Sequence, residues 1–72
     1  GNVTIPNNVF AAGDAVTIVN NTSGNLTLTA SVSVLYNAAD AATGNRTLAT
    51  RGMATILFGS ATSAYISGAG LS

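Results

Sequence analysis

Residues 15–30 read AVTIVNNTSGNLTLTA, two strand-forming segments on either side of a polar loop. Valine, isoleucine and threonine favour extended backbone because their branched side chains pack well on a pleated surface. In the second segment Leu26, Leu28 and Ala30 stand at every second position and therefore share one face of a strand. The loop at 20–25 supplies Asn and Gly residues, which tolerate the backbone angles of tight turns. We predict a β-hairpin.

The same period-two pattern extends outward from this hairpin in both directions, and helical periodicity is scarce. The predicted strands cover residues 3–5, 15–19, 26–30, 32–36, 47–49, 52–58 and 63–67. The fifth and sixth would merge into one strand if it bends at Arg51 and Gly52. Residues 37–45 form a longer loop, in which 38–42 is a candidate helical turn. Six to seven short strands at this spacing predict an all-β domain, a small antiparallel sandwich or prism spanning residues 1–72.

The chain has very few ionisable side chains. Its 72 residues include two basic and two acidic residues, and they contain no His and no Cys. Catalysis at neutral pH usually depends on His, Cys, Lys or a pair of interacting carboxylates. Asp14 and Asp40 lie in separate predicted turns, where an Asp side chain accepts hydrogen bonds from nearby backbone N–H groups. We therefore expect no enzymatic activity, no metal site and no cofactor.

The composition also predicts dependence on association with other chains. A core of this size supplies roughly 3–5 kcal/mol, and small folds usually need disulfides, metals or oligomerisation in addition. Disulfides and structural zinc are excluded because Cys and His are missing. Charged residues make up 6% of the chain and its net charge is zero, whereas ordinary domains contain about 25% charged residues. Such a surface is expected to be covered by copies of the same chain.

Two classes of partner are not expected. Without a basic patch, the chain has little with which to neutralise nucleic-acid phosphates. No apolar run in the sequence approaches the ~18–20 residues of a membrane-spanning helix.

Residues 34–36 and 53–58 have no consistently polar side, which implies cover on both faces of each strand. One face would pack on the domain's own core and the other on a partner subunit. The predicted contact residues are Val34, Tyr36, Met53, Ile56 and Phe58, with Arg46 and Arg51 fixing the register. One of these arginines is a candidate partner of Asp40 or Asp14, either tying a loop to the sheet or bridging two subunits. The alternative is a tightly packed two-sheet sandwich with residues 53–58 at its centre.

Two polar loops are candidate recognition surfaces. The residues chosen in them are Asn20, Asn21, Thr22, Asn25, Asn37, Asp40 and Asn45. Tyr36 and Tyr65 are interpreted as core or interface residues in preference to a platform for sugars, because aromatic side chains dominate both of those environments.

Three segments resemble parts of modules found in bacteriophage virion proteins. Residues 3–21, VTIPNNVFAAGDAVTIVNN, resemble the start of such a module, with its VTIP segment, F-x-x-G-D turn, strand and Asn-rich loop. Residues 42–57, ATGNRTLATRGMATIL, and 66–71, ISGAGL, resemble its second half. The similarity is to C-terminal modules of tail-fibre, spike and capsid decoration proteins, including those of cyanophage-like viruses.

This resemblance implies a terminal module of a fibre, spike or decoration protein that assembles as a homotrimer. We expect it to act as a structural component of the virion, with other virion proteins as partners and with loops available for display to a host surface, where a glycan is a candidate partner. Such modules have further strands before the VTIP segment. The resemblance therefore implies that the strand at 3–5 pairs with upstream sequence or with a neighbouring subunit.

Two alternative functions remain open. One is a glycan- or receptor-binding tip module that uses the two polar loops. The other is a subunit of a non-viral extracellular filament or adhesin, completed by strand addition at an open sheet edge.

Overall fold

The computed structural model describes residues 1–40 and 42–72, which form a single mixed β-sheet. Its six strands are β1 (Asn2–Ile5), β2 (Ala15–Val19), β3 (Leu26–Ala30), β4 (Val34–Asn37), β5 (Arg46–Ser60) and β6 (Ser63–Leu71). The strand order is β1-β3-β5-β6-β4, and β2 pairs with β5. The predicted all-β class is confirmed. No helix in the described ranges has the length and apolar character required to cross a membrane.

Strand β5 is 15 residues long and pairs with three other strands of the sheet. Along one edge it pairs antiparallel with β6. Along the other edge β3 pairs with residues 46–48, and β2 pairs with residues 53–57. The segments 47–49 and 52–58 therefore belong to one bent strand, as the merged alternative predicts.

The bend in β5 lies at Arg51 and Gly52. Arg51 has a backbone φ of 66°, in the left-handed region that residues other than glycine rarely adopt. Arg51 N donates a hydrogen bond to the Asn20 carbonyl, and Asn20 N donates to the Gly52 carbonyl, both at 2.9 Å. Two residues of β5 thus face one residue opposite, which is a β-bulge. A Cβ at Gly52 would lie 2.8 Å from the Ala49 carbonyl oxygen, so the bend requires glycine there.

The predicted hairpin at 15–30 is wrong, although the bounds of both its strands are confirmed. β2 and β3 do not pair with each other, because each is antiparallel to a different part of β5. They consequently run in the same direction along one edge, and the 20–25 loop leaves that edge and rejoins it. A polar loop rich in Asn and Gly suits such an interruption as well as it suits a chain reversal.

Two strand pairs are parallel, which corrects the prediction of an antiparallel fold. β1 pairs with β3, where Val3 lies opposite Leu28, and β4 pairs with β6. The expectation that residues 3–5 need a partner from outside this chain is therefore also wrong. β6 continues to Leu71, which lies opposite Leu48, so the last strand is longer than predicted.

The predicted helical turn at 38–42 includes residue 41, which lies outside the described residues. Asp40 N donates to the Asn37 carbonyl at 3.0 Å, and this bond closes a turn directly after β4.

One hydrophobic core receives side chains from both ends of β5. Its buried members are Ile5, Leu26, Leu28, Val32, Leu35, Leu48, Ala54, Ile56, Phe58, Ala64 and Ile66. Phe10, from the segment between β1 and β2, packs on Phe58 with ring centroids 4.7 Å apart. The alternating burial of β5 after its bend places Ala54, Ile56 and Phe58 in this core.

Candidate assembly surfaces

Four neighbouring strands, in the order β2-β5-β6-β4, present one exposed side, here called the outer face. Its side chains are Ala15, Thr17, Val19, Tyr36, Met53, Thr55, Leu57, Tyr65, Ser67 and Ala69. Apart from Ala69, which lies between two exposed glycines, they alternate along their strands with residues that point to the interior, as the pleat of a sheet requires. None of them is charged, because the two Asp and two Arg residues lie outside this surface.

Strand register arranges the outer face in three rows across the sheet. The rows are Val19–Met53–Ala69, then Thr17–Thr55–Ser67, then Ala15–Leu57–Tyr65–Tyr36. In the middle row the Thr17 and Thr55 hydroxyl oxygens are 3.3 Å apart. In the third row the rings of Tyr36 and Tyr65 stack with centroids 5.1 Å apart. A narrow hydroxyl stripe therefore separates two apolar rows.

The outer face concentrates the exposed apolar surface of the molecule. Six large hydrophobic residues are exposed in the described chain, and five of them lie on this face, the exception being Val9. At about 4.8 Å between strands and 3.4 Å per residue, the three rows cover about 300 Å² of sheet. This extent, which includes the hydroxyl stripe, is close to that of the largest apolar patch on a typical monomer, and such patches are often functional.

The predicted contact residues divide between the outer face and the core. Met53 is 52% exposed and lies on the outer face together with Tyr36. Ile56 and Phe58 are 2% and 1% exposed, so the prediction that they contact another subunit is corrected. They differ from Met53 by an odd number of positions, and a strand turns such residues to opposite sides. Val34 is half-buried at the start of β4.

Neither arginine is a member of the outer face. Arg46 is half-buried at the start of β5, and its Nε donates to the Asn45 carbonyl at 2.7 Å. Arg51 is exposed at the bend of the same strand. Their role in fixing the register between subunits remains a prediction.

Among the large hydrophobic residues of the outer face, the predicted contact set leaves out Val19, Leu57 and Tyr65, of which Tyr65 is interpreted from the sequence only as a core or interface residue. Leu57 lies four positions after Met53 in β5, and alternation of side chains along a strand therefore places both on the same side. Val19 and Tyr65 join them through pairing with β5, opposite Met53 and Leu57 respectively. These two positions depend on strand pairing over long sequence separations, for which the sequence offers no local signal.

Asn20 holds the interrupted edge of β5 together. It is 1% exposed, and its Nδ2 donates at 2.9 Å to the carbonyls of both Leu48 and Gly24. Its Oδ1 accepts from the Thr22 hydroxyl at 2.6 Å and from the Thr22 backbone N–H at 3.2 Å. The side chain therefore replaces backbone hydrogen bonds where the chain departs from the sheet. This finding corrects the choice of Asn20 as a recognition residue, because its polar atoms are all engaged internally.

The other residues of the 20–25 loop remain on the surface. Asn21, Thr22 and Asn25 are exposed around the anchored Asn20. The Thr22 hydroxyl also lies 3.0 Å from the Gly24 carbonyl, so the loop is tied internally.

The second candidate loop is fastened to the sheet at several points. Asn45 Oδ1 accepts from the backbone N–H of Ala30 at 2.8 Å. Asp40 Oδ1 accepts from Ala42 N at 3.3 Å, and Asn37 N donates to the Ala42 carbonyl at 3.0 Å. Asp40 and Asn45 are exposed, whereas Asn37 is half-buried.

A second apolar surface lies on the other side of β2. An open cleft of about 250 Å³ runs between β1 and β2, and its lining includes Val3, Phe10, Val16, Ile18 and Phe58. Val16 and Ile18 alternate with the outer-face residues of β2 and are half-buried. β2 thus separates two apolar surfaces, the outer face and the cleft.

No family model matches the chain, and comparison with curated proteins and with solved structures also yields no significant match. The resemblance to bacteriophage modules therefore rests on the sequence segments described above.

Proposed function

We propose that this chain is a structural assembly module that works by associating with copies of itself through the outer face. The supporting observation is the concentration of exposed hydrophobic residues on one uncharged side of the sheet. Removing such residues from water contributes about 25 cal/mol per Å² of apolar surface. The outer face and the lining of the cleft carry no charge, so this gain is not offset by the cost of burying ions when they meet.

The proposed assembly is a homotrimer of small sandwich-like or prism-like subunits. A closed ring of three needs two different contact surfaces on every subunit, because its interfaces are heterologous. The outer face and the cleft are two such surfaces, and they adjoin the same strand, β2. Arg46 and Arg51 would fix the register from positions beside the outer face.

We further propose that the module belongs to a bacteriophage particle, as part of a tail fibre, spike or capsid decoration in contact with other virion proteins. The resemblance of residues 3–21 and 42–57 supports this placement. Antibodies raised against the module should label intact particles of the encoding phage in electron micrographs. Labelling of a cellular filament instead would favour the non-viral alternative.

The mass of the native assembly tests self-association directly. Native mass spectrometry and light scattering at micromolar concentration should give three times the 7.0 kDa chain mass. A double variant Met53→Thr, Leu57→Thr keeps strand-compatible residues and removes two large exposed side chains, so it should be monomeric. The matched control is Thr27→Ser at an exposed position of β3, which should leave the trimer intact. A folded wild-type monomer at this concentration would refute the proposal.

Recognition of host carbohydrate is a second candidate function. The observation that favours it is the anchoring of the 20–25 loop by the buried Asn20, since a rigidly held polar loop suits recognition. The double variant Asn21→Ala, Asn25→Ala should lose binding on a glycan array while its assembly mass stays unchanged. Equal glycan signals from variant and wild type would exclude this loop as the binding site.

A further inference from the structure

The strands β1, β2 and β4 each pair with one other strand, so each has a second edge. These three second edges differ in whether another segment pairs with them. The second edge of β4 is covered by the segment that follows it. Gly44 N donates to the Leu35 carbonyl at 3.0 Å, and Tyr36 forms a bridge with Thr43. β1 pairs with β3 alone and β2 with β5 alone among the described strands, so both keep an unpaired edge. These two edges border the apolar cleft.

The register identifies which amides of β2 point to its unpaired edge. Phe58 N donates to the Asp14 carbonyl, and Asn20 N donates to the Gly52 carbonyl, so even-numbered residues face β5. Antiparallel pairing alternates strictly along a strand. The N–H and C=O groups of Ala15, Thr17 and Val19 therefore point away from β5 and towards the cleft side.

The cleft matches the side chains of one added strand. A cavity of about 150 Å³ accommodates a molecule of the size of benzene, so the observed cleft of about 250 Å³ has room for one or two large apolar side chains. A strand of four or five residues places two or three side chains on one face. The lining residues carry no charge, so the added side chains must be apolar as well.

The area of the outer face argues for a second contact surface in the same assembly. About 300 Å² of sheet falls well short of the roughly 800 Å² that each partner buries in a stable interface. A strand added at the edge of β2 would place alternate side chains in the cleft and would extend the outer face with the others. The same addition would therefore enlarge both contacts at once.

We propose that the unpaired edge of β2 and the adjoining cleft receive an extended strand from a second copy of this chain. This inference rests on the proposed self-association and specifies how it is completed. The backbone of the incoming strand pairs with Thr17 and Val19, and its apolar side chains pack on Phe10, Val16 and Ile18. Addition at a sheet edge is an established mode of peptide recognition, in which main-chain hydrogen bonds supply affinity and pockets supply specificity.

Residue-resolved hydrogen exchange on the assembled wild-type protein tests the proposal. The amides of Thr17 and Val19 should be protected in the assembly and should exchange rapidly in the monomeric Met53→Thr, Leu57→Thr variant. The amides of Val16 and Ile18 face β5 and serve as internal controls that stay protected in both samples. Rapid exchange at Thr17 and Val19 in a protein whose mass is that of a trimer would overturn strand addition and leave self-association standing. A monomeric wild type would overturn both.

A pair of variants at the mouth of the cleft provides an independent test. Val9 is 67% exposed and lines the cleft, so replacing it should not disturb the fold. Val9→Asp places an unpaired charge against the incoming strand and should weaken association by about tenfold or more. Val9→Thr keeps nearly the shape of valine and introduces no charge, so it should weaken association by less than about threefold. Equal association constants for the two variants would contradict occupation of the cleft.

Discussion

The two sides of β5 beyond its bend both carry large hydrophobic residues, but their environments are opposite. Ile56 and Phe58 are buried in the core, whereas Met53 and Leu57 are about half exposed on the outer face. A monomeric protein normally makes one side of such a strand polar. The comparison indicates that two different demands act on one strand, folding on its inner side and contact with another molecule on its outer side.

The inner side should respond most strongly to substitution. Phe58→Ala removes a ring that packs on Phe10 and lies at the centre of the core. Large-to-small changes of this kind cost about 3–5 kcal/mol, which equals the roughly 3–5 kcal/mol that a core of this size supplies. We expect loss of cooperative thermal unfolding, measured by circular dichroism. A variant that still unfolds cooperatively within a few degrees of wild type would show that the core is not the main source of stability.

A variant of Asn20 tests whether this buried polar side chain stabilises β5 at the edge where β2 and β3 are interrupted. Asn20→Ala would leave the Leu48 and Gly24 carbonyls without their donor and remove the acceptor for Thr22. Loss of these bonds at a buried position should lower the free energy of unfolding by about 2–3 kcal/mol, measured by urea denaturation. Asn21→Ala, at the exposed neighbouring position, is the matched control and should change it by less than about 0.5 kcal/mol. Equal effects at the two positions would contradict the anchoring role.

The outer side should respond least when folding alone is measured. Leu57→Ala, next to Phe58 in the chain, should change the stability of the dilute monomer by less than about 1 kcal/mol because its side chain is half exposed. The same variant should show weaker self-association in sedimentation velocity at higher concentration. A destabilisation comparable to that of Phe58→Ala would mean that the two sides do not differ in the way their burial indicates.

Local pattern predicted the strands well, and it predicted their partners poorly. The bounds of β2 and β3 followed from β-branched residues and alternation, which act within a few positions. Their pairing with β5 joins residues such as Val16 and Ile56, forty positions apart, and no local signal specifies it. The loop between β2 and β3 has the composition of a turn. The sequence does not reveal that Asn20 is buried, because its side chain donates to the Leu48 carbonyl of the distant strand β5.

The candidate site was predicted only in part, because its assembly also depends on contacts between distant residues. Residues 53–58 were correctly identified as apolar on both sides, and Met53 and Tyr36 lie on the outer face. The parity rule separates Met53 from Ile56 and Phe58 without any structure, yet it does not indicate which set faces the core. That choice depends on which segments pack on each side of β5, such as Phe10 on Phe58, and this is tertiary information.

The dependence of β2 and β3 on β5 has a consequence for biosynthesis. Both strands are synthesised before residues 46–60, the segment that carries their antiparallel partners. Residues 15–30 must therefore wait, with unpaired edges and uncovered valines and leucines, until residues 46–60 are available. Contacts between distant residues also slow folding, and such intermediates aggregate readily. Production of this protein in quantity should accordingly gain from slow expression at low temperature, where the waiting segment meets fewer copies of itself.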